Sequence, residues 1–248
     1  MTIRIETPEL EEHTRGVERV LVVAAHPDDA EFGSAGTVSM WTDAGIEVEY
    51  VVVTDGDAGS SDPTIDRVAL AATRREEQRA AAKAAGVDGV EFLGYPDGRV
   101  ETTRELRRDI SRAIRRLRPD RVVCQSPDRR WDALPASHPD HLATGEAVVR
   151  AVYPDARNPF SFPELLEEGL DPFSVRELWV VAHPQPNVAI DITEAFGRKM
   201  AALRCHESQI KDPEEVEGFL RARLERSAQQ MGLGDGRLAE TFRVVLAP

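Results

Sequence analysis

Short, uninterrupted apolar segments alternate with longer helix-forming segments along the first half of this chain, and this alternation constrains its fold most. The first four apolar runs begin near Val20, Val48, Val90 and Arg121, and each is only a few residues long. Such runs are typical of strands buried on both faces. The segments between them carry the Ala, Arg, Glu and Leu residues that favour helices. The alternation therefore predicts an α/β fold with a mostly parallel, doubly wound sheet flanked by helices.

The second half of the chain is less regular. Residues 153–174 are rich in proline and acidic side chains, which predicts a long loop or lid with a short helix near 164–168. Thr193 is a candidate N-cap for a later helix. The remaining expected elements are two strands, two helices and a last strand, over residues 175–182, 188–192, 193–204, 213–230 and 241–246. Without an internal repeat, residues 1–248 are expected to form a single domain.

Charge and composition exclude several classes of protein. With 31 Lys and Arg against 44 Asp and Glu, the net charge is -13, so nucleic acid is not an expected partner. No segment reaches the ~18 apolar residues of a membrane span. The acidic start MTIRIETPELEEHTRG lacks the pattern of a secretory signal, which predicts a cytoplasmic protein. Cys124 and Cys205 are expected to be structural thiols, and self-association into a homo-oligomer is compatible with the composition.

Polar and titratable residues follow the first four predicted strands directly. Parallel sheets bind ligands at the carboxyl ends of their strands. His26-Pro-Asp-Asp29 follows the first strand, and His138-Pro-Asp-His141 comes after the fourth. The outer residues of each motif are three positions apart, which places them on one side of a beginning helical turn. Because a catalytic zinc site usually takes three ligands from His, Asp and Glu, the two motifs together predict a metal site.

These motifs resemble those of the PIG-L/LmbE-like zinc-dependent N-acetylglucosaminyl deacetylases. The similarity is most specific in Val22-Val-Ala-Ala-His-Pro-Asp-Asp-Ala-Glu-Phe-Gly33 and in the His138–His141 loop. Weaker similarity extends along most of the chain, through segments 54–59, 74–78, 92–98 and 202–209. The resemblance implies a Rossmann-like LmbE fold, a mononuclear zinc site and hydrolysis of an N-acyl group from a small amino-sugar substrate. The chain departs from the commonest family pattern at Ala30 and from some members at Ala136.

The resemblance also implies roles for single residues. The implied zinc ligands are His26, Asp29 and His141. Asp28 corresponds to the general base of the family, and a carboxylate beside the metal can accept a proton from water. His138 is expected to stabilise the oxyanion or to protonate the departing amine, and Asp140 to orient one of the histidines. Two histidines and a carboxylate also accept Fe²⁺, so iron is an alternative to Zn²⁺.

Arg74, Asp97 and Trp131 are the expected substrate contacts. Arg74 matches a family arginine that contacts the sugar, although a solvated helix arginine is the alternative. Asp97 lies in an Asp-Gly pair, which also suits a simple turn. Trp131 precedes the second histidine motif, and exposed aromatic rings commonly face sugars.

Some assignments stay open at this point. His13, among acidic residues, is expected to be solvated, whereas His183 could reach the site and His206 has no assigned role. The same metal ligands would also serve an amidase of a thiol-sugar conjugate or a natural-product de-N-acylase. A non-enzymatic Rossmann-like binding module is a third reading, although the complete set of histidines and aspartates argues against it.

Overall fold

The apolar runs form the strands of one sheet. The computed structural model describes residues 6–87 and 89–247. The strands are β1 (Arg19–Ala24), β2 (Glu47–Thr54), β3 (Gly89–Tyr95), β4 (Arg121–Gln125), β5 (Glu177–Val181), β6 (Val188–Asp191) and β7 (Ala239–Leu246). Their order is β3-β2-β1-β4-β5-β7-β6, and only β7 runs antiparallel to its neighbours. The mostly parallel α/β fold is thus confirmed.

Helices cover both faces of this sheet. They are α1 (Leu10–Thr14), α2 (Asp29–Asp43), α3 (Arg67–Ala84), α4 (Arg104–Leu117), α5 (Pro139–Arg150), α6 (Pro163–Glu167), α7 (Phe196–Leu203) and α8 (Pro213–Gln230). Helices α2, α3, α7 and α8 contribute to the core on one face, and α4 and α5 to the core on the other. Within residues 6–87 and 89–247, no helix is long and apolar enough to cross a membrane.

Strand β1 shows why a central strand of this sheet is apolar along its length. Val20 and Val22 pack into the core on one face, and Leu21 and Val23 pack into the core on the other. A strand covered by helices on both faces therefore shows a continuous apolar run instead of an alternation. The sheet also determines where the site lies, because β1 and β4 are parallel neighbours whose carboxyl ends lie side by side.

The helices that carry the histidine motifs begin at the motifs themselves. Helix α2 starts at Asp29, so this aspartate lies in its first turn. Helix α5 starts at Pro139, and His138 Nδ1 caps it by accepting the Asp140 N–H at 3.2 Å. The expected Thr193 cap is wrong, because α7 starts only at Phe196 and the Thr193 hydroxyl donates to Asp191 at 2.5 Å.

Two arginines of α4 form hydrogen bonds that hold the segment 153–174 against the rest of the domain. Arg115 is only 2% exposed and donates to the carbonyl oxygens of Ala156 and Asn158 at 3.0 and 2.9 Å. Arg107 makes two hydrogen bonds to Asp155, at 2.7 and 2.8 Å. The short helix expected in this segment is confirmed as α6.

His13 is buried, so the expectation of a solvated side chain is wrong. Its Nδ1 accepts the indole N–H of Trp41 at 3.0 Å, and its ring lies 6.4 Å from that of Trp179. Both tryptophans are core residues. Burial lowers the pKa of His13 to about 4, with a further contribution from the Arg121 guanidinium. The acidic sequence around His13 could not reveal this, because the tertiary position of α1 decides it.

The buried His13 predicts a pH dependence of stability. Its pKa is lower in the folded chain than the ordinary 6.5, so protonation favours unfolding. Its contribution is present in full above pH 6.5 and is lost as the pH falls toward 4. Between pH 7 and pH 5 the free energy of unfolding should fall by about 2 kcal/mol more in the wild type than in His13→Gln. Denaturant unfolding at the two pH values measures this difference, and equal losses would contradict it.

Candidate active site

The carboxyl ends of β1 and β4 bring the two histidine motifs together. His26 Nδ1 lies 3.2 Å from one oxygen of Asp29 and 3.3 Å from His141 Nε2. His141 Nε2 in turn lies 3.1 Å from the other Asp29 oxygen. Ligand-type atoms of three residues, at the starts of α2 and α5 and just before α2, therefore lie close together at the sheet edge.

The spacing of these atoms suits a tetrahedral metal ion. Donor atoms at ~2.0–2.1 Å from zinc and at tetrahedral angles are about 3.3 Å apart. Asp29 and His141 also line a cavity, which leaves one side of the cluster open. An open position beside three protein ligands distinguishes a catalytic metal site from a structural one. This cluster of His and Asp side chains could therefore bind a metal.

The carboxylates around the cluster favour a positive charge there. Burial lowers the pKa of His26, but hydrogen bonds with Asp140, Asp29 and Asp97 raise it to about 12. Burial raises the pKa of Asp29, yet His141 and His26 hold it well below its usual range. The carboxylates thus stabilise one cation among them, and a divalent ion would meet this requirement.

The second nitrogen of His26 is held by two carboxylates. His26 Nε2 lies 3.1 Å from Asp97 Oδ1 and 3.2 Å from Asp140 Oδ2. Asp140 also accepts the N–H groups of Gly98 and Val100, at 2.7 and 3.2 Å, and is fully buried. A carboxylate that accepts the ring N–H of a histidine fixes its tautomer and leaves the other nitrogen free for a metal. This contact supports the orienting role expected of Asp140.

His138 lies against the same cluster. Its ring centroid is 5.0 Å from that of His26 and 5.3 Å from that of His141. One donor atom from each of these three histidines fits within 4.8 Å, so they form an alternative metal-binding group. Because His138 Nδ1 accepts the Asp140 N–H, the neutral ring carries its proton on Nε2. Burial and the neighbouring His26 lower the pKa of His138.

Asp28 is held in an unusual backbone conformation. Its φ of +97° is rare for a residue other than glycine. Its N–H donates to Gln78 Oε1 at 2.9 Å, and its Oδ2 accepts from Arg74 Nη2 at 3.0 Å. Burial raises the pKa of Asp28 to about 7, Asp29 adds to the increase, and Arg74 opposes it. Such strain persists where surrounding contacts fix it, and it often marks functional sites.

Arg74 is directed at the protein backbone as well as at Asp28. It is 4% exposed and donates to the carbonyl oxygens of Pro27 and Gly56 at 2.6 and 2.9 Å. A Cβ atom at Gly56 or Gly59 would overlap the guanidinium, which explains the glycines in this loop. The sequence motif reveals the arginine but not these partners. Its contact with substrate stays a prediction.

A buried polar chain that the sequence analysis missed leads to Asp28. Gln78 Nε2 donates to Glu31 Oε1 at 2.9 Å, and His206 Nε2 lies 3.3 Å from Glu31 Oε2. Glu31, Gln78 and His206 are each 0% exposed. All three lie in segments that resemble the family, and this resemblance was the only feature of the sequence that pointed to them. The structure thereby gives His206 a place behind the site.

The other two expected substrate contacts differ in exposure. Asp97 is 9% exposed, and it accepts the Ala58 N–H at 2.9 Å besides facing His26. Trp131 is 81% exposed, so its ring is available to a ligand. His183 instead pairs with Asp128 at 3.1 Å. Contacts of Asp97 and Trp131 with substrate stay predictions.

A cavity of about 660 Å³ opens beside Asp29 and His141. Its walls come from residues 130–136, the carboxyl end of β5, the start of β7 and α8. This volume lies within the ~300–1,000 Å³ of small-molecule sites. We call it the α8 cavity.

Comparisons with known proteins agree with this geometry. The model of the family PIG-L, GlcNAc-PI de-N-acetylase, matches residues 21–152. The diacetylchitobiose deacetylase of Thermococcus kodakarensis is 36% identical over 231 residues, which cover 92% of this chain and 84% of that protein. A probable N-acetyl-alpha-D-glucosaminyl L-malate deacetylase 2 of Bacillus anthracis is 32% identical over 202 residues, 77% of this chain and 81% of its own length.

A solved structure is similar over nearly the whole chain. The N,N'-diacetylchitobiose deacetylase from Pyrococcus horikoshii matches with a TM-score of 0.87 and 32% identity, covering 96% of this chain and 87% of that one. The fold, the family model and the relatives therefore agree, and the chain belongs to the PIG-L family of de-N-acetylases.

Proposed function

We propose that this chain is a metal-dependent N-deacetylase that hydrolyses the N-acetyl group of an amino sugar and releases a free amine and acetate. The observation that carries the proposal is the convergence of His26, Asp29 and His141 within 3.3 Å of one another, next to the partly buried carboxylate of Asp28. The relatives named above are deacetylases of diacetylchitobiose and of N-acetyl-alpha-D-glucosaminyl L-malate, which supports the reaction class.

His26 Nδ1, the Asp29 carboxylate and His141 Nε2 are the atoms that would hold the metal. We propose Zn²⁺, and Fe²⁺ suits the same donors. When bound, such an ion lowers the pKa of water and polarises the amide carbonyl. Asp140 and Asp97 accept the proton on His26 Nε2, which would leave Nδ1 free to hold the metal.

We propose Asp28 as the general base. Arg74 Nη2 occupies Oδ2 of its carboxylate, and the proposal assigns Oδ1 to the proton of the attacking water. The same carboxylate can deliver this proton to the leaving nitrogen, so that one water is consumed for each amine and acetate released. The Asp28 N–H donates to Gln78 Oε1, and this bond would hold the backbone that carries the carboxylate in position.

His138 is proposed to contact the carbonyl oxygen. Its Nδ1 accepts a backbone N–H, so the ring in this state is a neutral donor through Nε2–H. Such a donor stabilises the negative charge that develops on the oxygen of the tetrahedral species. The hydrogen bond at Nδ1 favours this oxyanion role over that of an imidazolium acid.

Release of amine and acetate together tests the proposed reaction. Metal-loaded protein would be incubated with N-acetylglucosamine, diacetylchitobiose, N-acetylglucosaminyl malate and N-acetylglucosaminyl inositol. Amine and acetate should appear in equal amounts from at least one of them. Absence of amine from all four, with metal bound and the fold intact, would contradict the proposal.

The polar chain behind Asp28 gives a separate prediction. Gln78→Leu removes the acceptor of the Asp28 N–H, and a lost buried hydrogen bond should lower kcat about tenfold. Metal content and KM should stay near the wild-type values, because neither the ligands nor the cavity change. Gln229→Leu, at an exposed position of α8, serves as the control. An unchanged kcat in Gln78→Leu would show that this bond does not position Asp28.

A further inference from the structure

A buried ion pair lies against the helix that begins at the proposed metal site. Lys199, on α7, and Glu240, on β7, are 2.7 Å apart, and their side chains are 0% and 1% exposed. Glu240 also lines the α8 cavity. We infer that Lys199 is a positioning residue, which through this pair holds the first turns of α2 and with them Asp29 and Asp28. The inference rests on the proposed deacetylase function and adds a residue to it.

The ammonium group of Lys199 is bonded to the backbone of α2. Its Nζ donates to the carbonyl oxygens of Glu31 and Phe32 at 2.6 and 3.1 Å. Arg223 Nη2 also donates to the Phe32 carbonyl oxygen, at 2.9 Å. In a regular α-helix these carbonyl oxygens accept the N–H groups four residues further along the chain. The carbonyl oxygens two and three residues after Asp29 therefore bond to side-chain cations.

The carboxylate of Glu240 is bonded to the same helix one turn later. Its two oxygens accept the N–H groups of Gly36 and Thr37 at 3.0 and 2.8 Å. In a regular helix these N–H groups would bond to the carbonyl oxygens of residues 32 and 33. Gly36 allows α2 to lie this close to the end of β6, because a Cβ atom there would be 2.6 Å from Ile192 Cδ1. Both members of the pair thus take part in the backbone hydrogen bonding of α2.

The pair is therefore able to set the direction of the first turn of α2. Side chains that insert into the hydrogen bonds of a helix are a recognised cause of bends. Asp29 is the first residue of α2 and Asp28 directly precedes it, so this turn determines where both carboxylates lie. Without Lys199, the Glu31 carbonyl oxygen would be left to the N–H groups of the helix, and the turn would shift. The Asp29 oxygen that lies 3.1 Å from His141 Nε2 would move with it.

Glu31 joins this pair to the polar chain behind Asp28. Its carbonyl oxygen accepts from Lys199, while its carboxylate accepts from Gln78 and lies 3.3 Å from His206 Nε2. Gln78 in turn accepts the Asp28 N–H. A displacement of Glu31 would therefore disturb a metal ligand and the base together. We expect both metal affinity and turnover to depend on Lys199.

A double variant separates positioning from stability. Lys199→Met alone leaves a buried carboxylate without its cation, so the Tm should fall sharply. Lys199→Met/Glu240→Gln removes both charges at similar side-chain volume, and most of the lost Tm should return. We nevertheless expect this double variant to bind Zn²⁺ about tenfold more weakly, and to show a kcat about tenfold lower at saturating Zn²⁺.

Two of the measurements do not depend on turnover. Competition with a chromophoric chelator gives the Kd for Zn²⁺, and the visible absorption of Co²⁺-loaded protein reports the arrangement of the donor atoms around the ion. We expect the Co²⁺ spectrum of the double variant to differ from that of the wild type. Because neither measurement needs a substrate, failure of the deacetylase proposal would leave these results unchanged.

Lys199→Gln is the second variant, for use if the double variant does not fold. It keeps a hydrogen-bond donor but removes a positive charge, and this change of charge alone would strengthen Zn²⁺ binding. A weaker affinity for Zn²⁺ in Lys199→Gln would therefore result from a displaced ligand, which is the result that we expect.

Arg115→Met is the matched control. Arg115 is also a buried cation that donates to backbone carbonyl oxygens, but it lies in the core on the opposite face of the sheet. Its replacement should lower the Tm and leave the Kd for Zn²⁺ unchanged. Wild-type Zn²⁺ affinity and Co²⁺ spectrum in the folded double variant, or undiminished Zn²⁺ affinity in Lys199→Gln, would overturn the inference. Equal weakening of Zn²⁺ binding in Arg115→Met would overturn it as well.

Discussion

Replacement of His141 by alanine is expected to remove most of the bound metal and nearly all deacetylase activity. His141 Nε2 lies 3.3 Å from His26 Nδ1 and 3.1 Å from an oxygen of Asp29, and His141 is the one residue of these three that follows β4. Loss of a partner behind a ligand typically lowers metal affinity ~10–100-fold, so loss of a ligand itself should cost at least as much. Elemental analysis of purified variants measures the effect.

Matched variants make this result specific. His26→Ala and Asp29→Ala should lose metal in the same way, because they remove the other two donors. His183→Ala should retain it, since His183 pairs with Asp128 outside the cluster. Full metal content in His141→Ala would contradict the ligand assignment.

Replacement of Asp28 by asparagine is expected to leave the metal bound but to lower kcat about 10²–10⁴-fold, the usual contribution of a general base. Asparagine tolerates a positive φ better than most residues, so the backbone at +97° should persist. Its amide oxygen can still accept from Arg74, but the side chain cannot take a proton from water. Steady-state kinetics and metal analysis of the same preparation measure the two effects.

The same experiment separates the base from the ligands. Asp57→Asn, in the neighbouring loop where Asp57 pairs with Arg67, should retain most turnover. His138→Ala should retain metal and lose turnover through its oxyanion role. If Asp28→Asn or His138→Ala loses metal while Asp29→Asn keeps it, the assignment of ligands and base is reversed.

The sequence predicts most of the sheet because its strands are apolar on both faces. The fourth strand was predicted to begin near Arg121, and β4 begins at Arg121 in the structure. The position of β7 between β5 and β6 could not be predicted, because local patterns do not reveal which strands pair over long distances. The burial of His13 depends in the same way on where α1 packs against the two tryptophans.

Part of the site could likewise be predicted from the order of the strands. The two histidine motifs follow strands whose ends share one edge, so their proximity could be expected from topology alone. The direction of a long side chain cannot be read in this way. Arg74 was expected to face the sugar, and the structure shows its guanidinium bonded to Asp28, Pro27 and Gly56. The chain of Gln78, Glu31 and His206 likewise became apparent only from side-chain contacts.

A metal titration tests the central claim most directly. Protein stripped with a chelator would be titrated with Zn²⁺, and acetate release from an N-acetyl amino sugar would be followed together with bound metal. The account predicts no turnover in the stripped protein and a linear rise in activity that ends at about one ion per chain. Undiminished turnover by protein that holds no metal would contradict it.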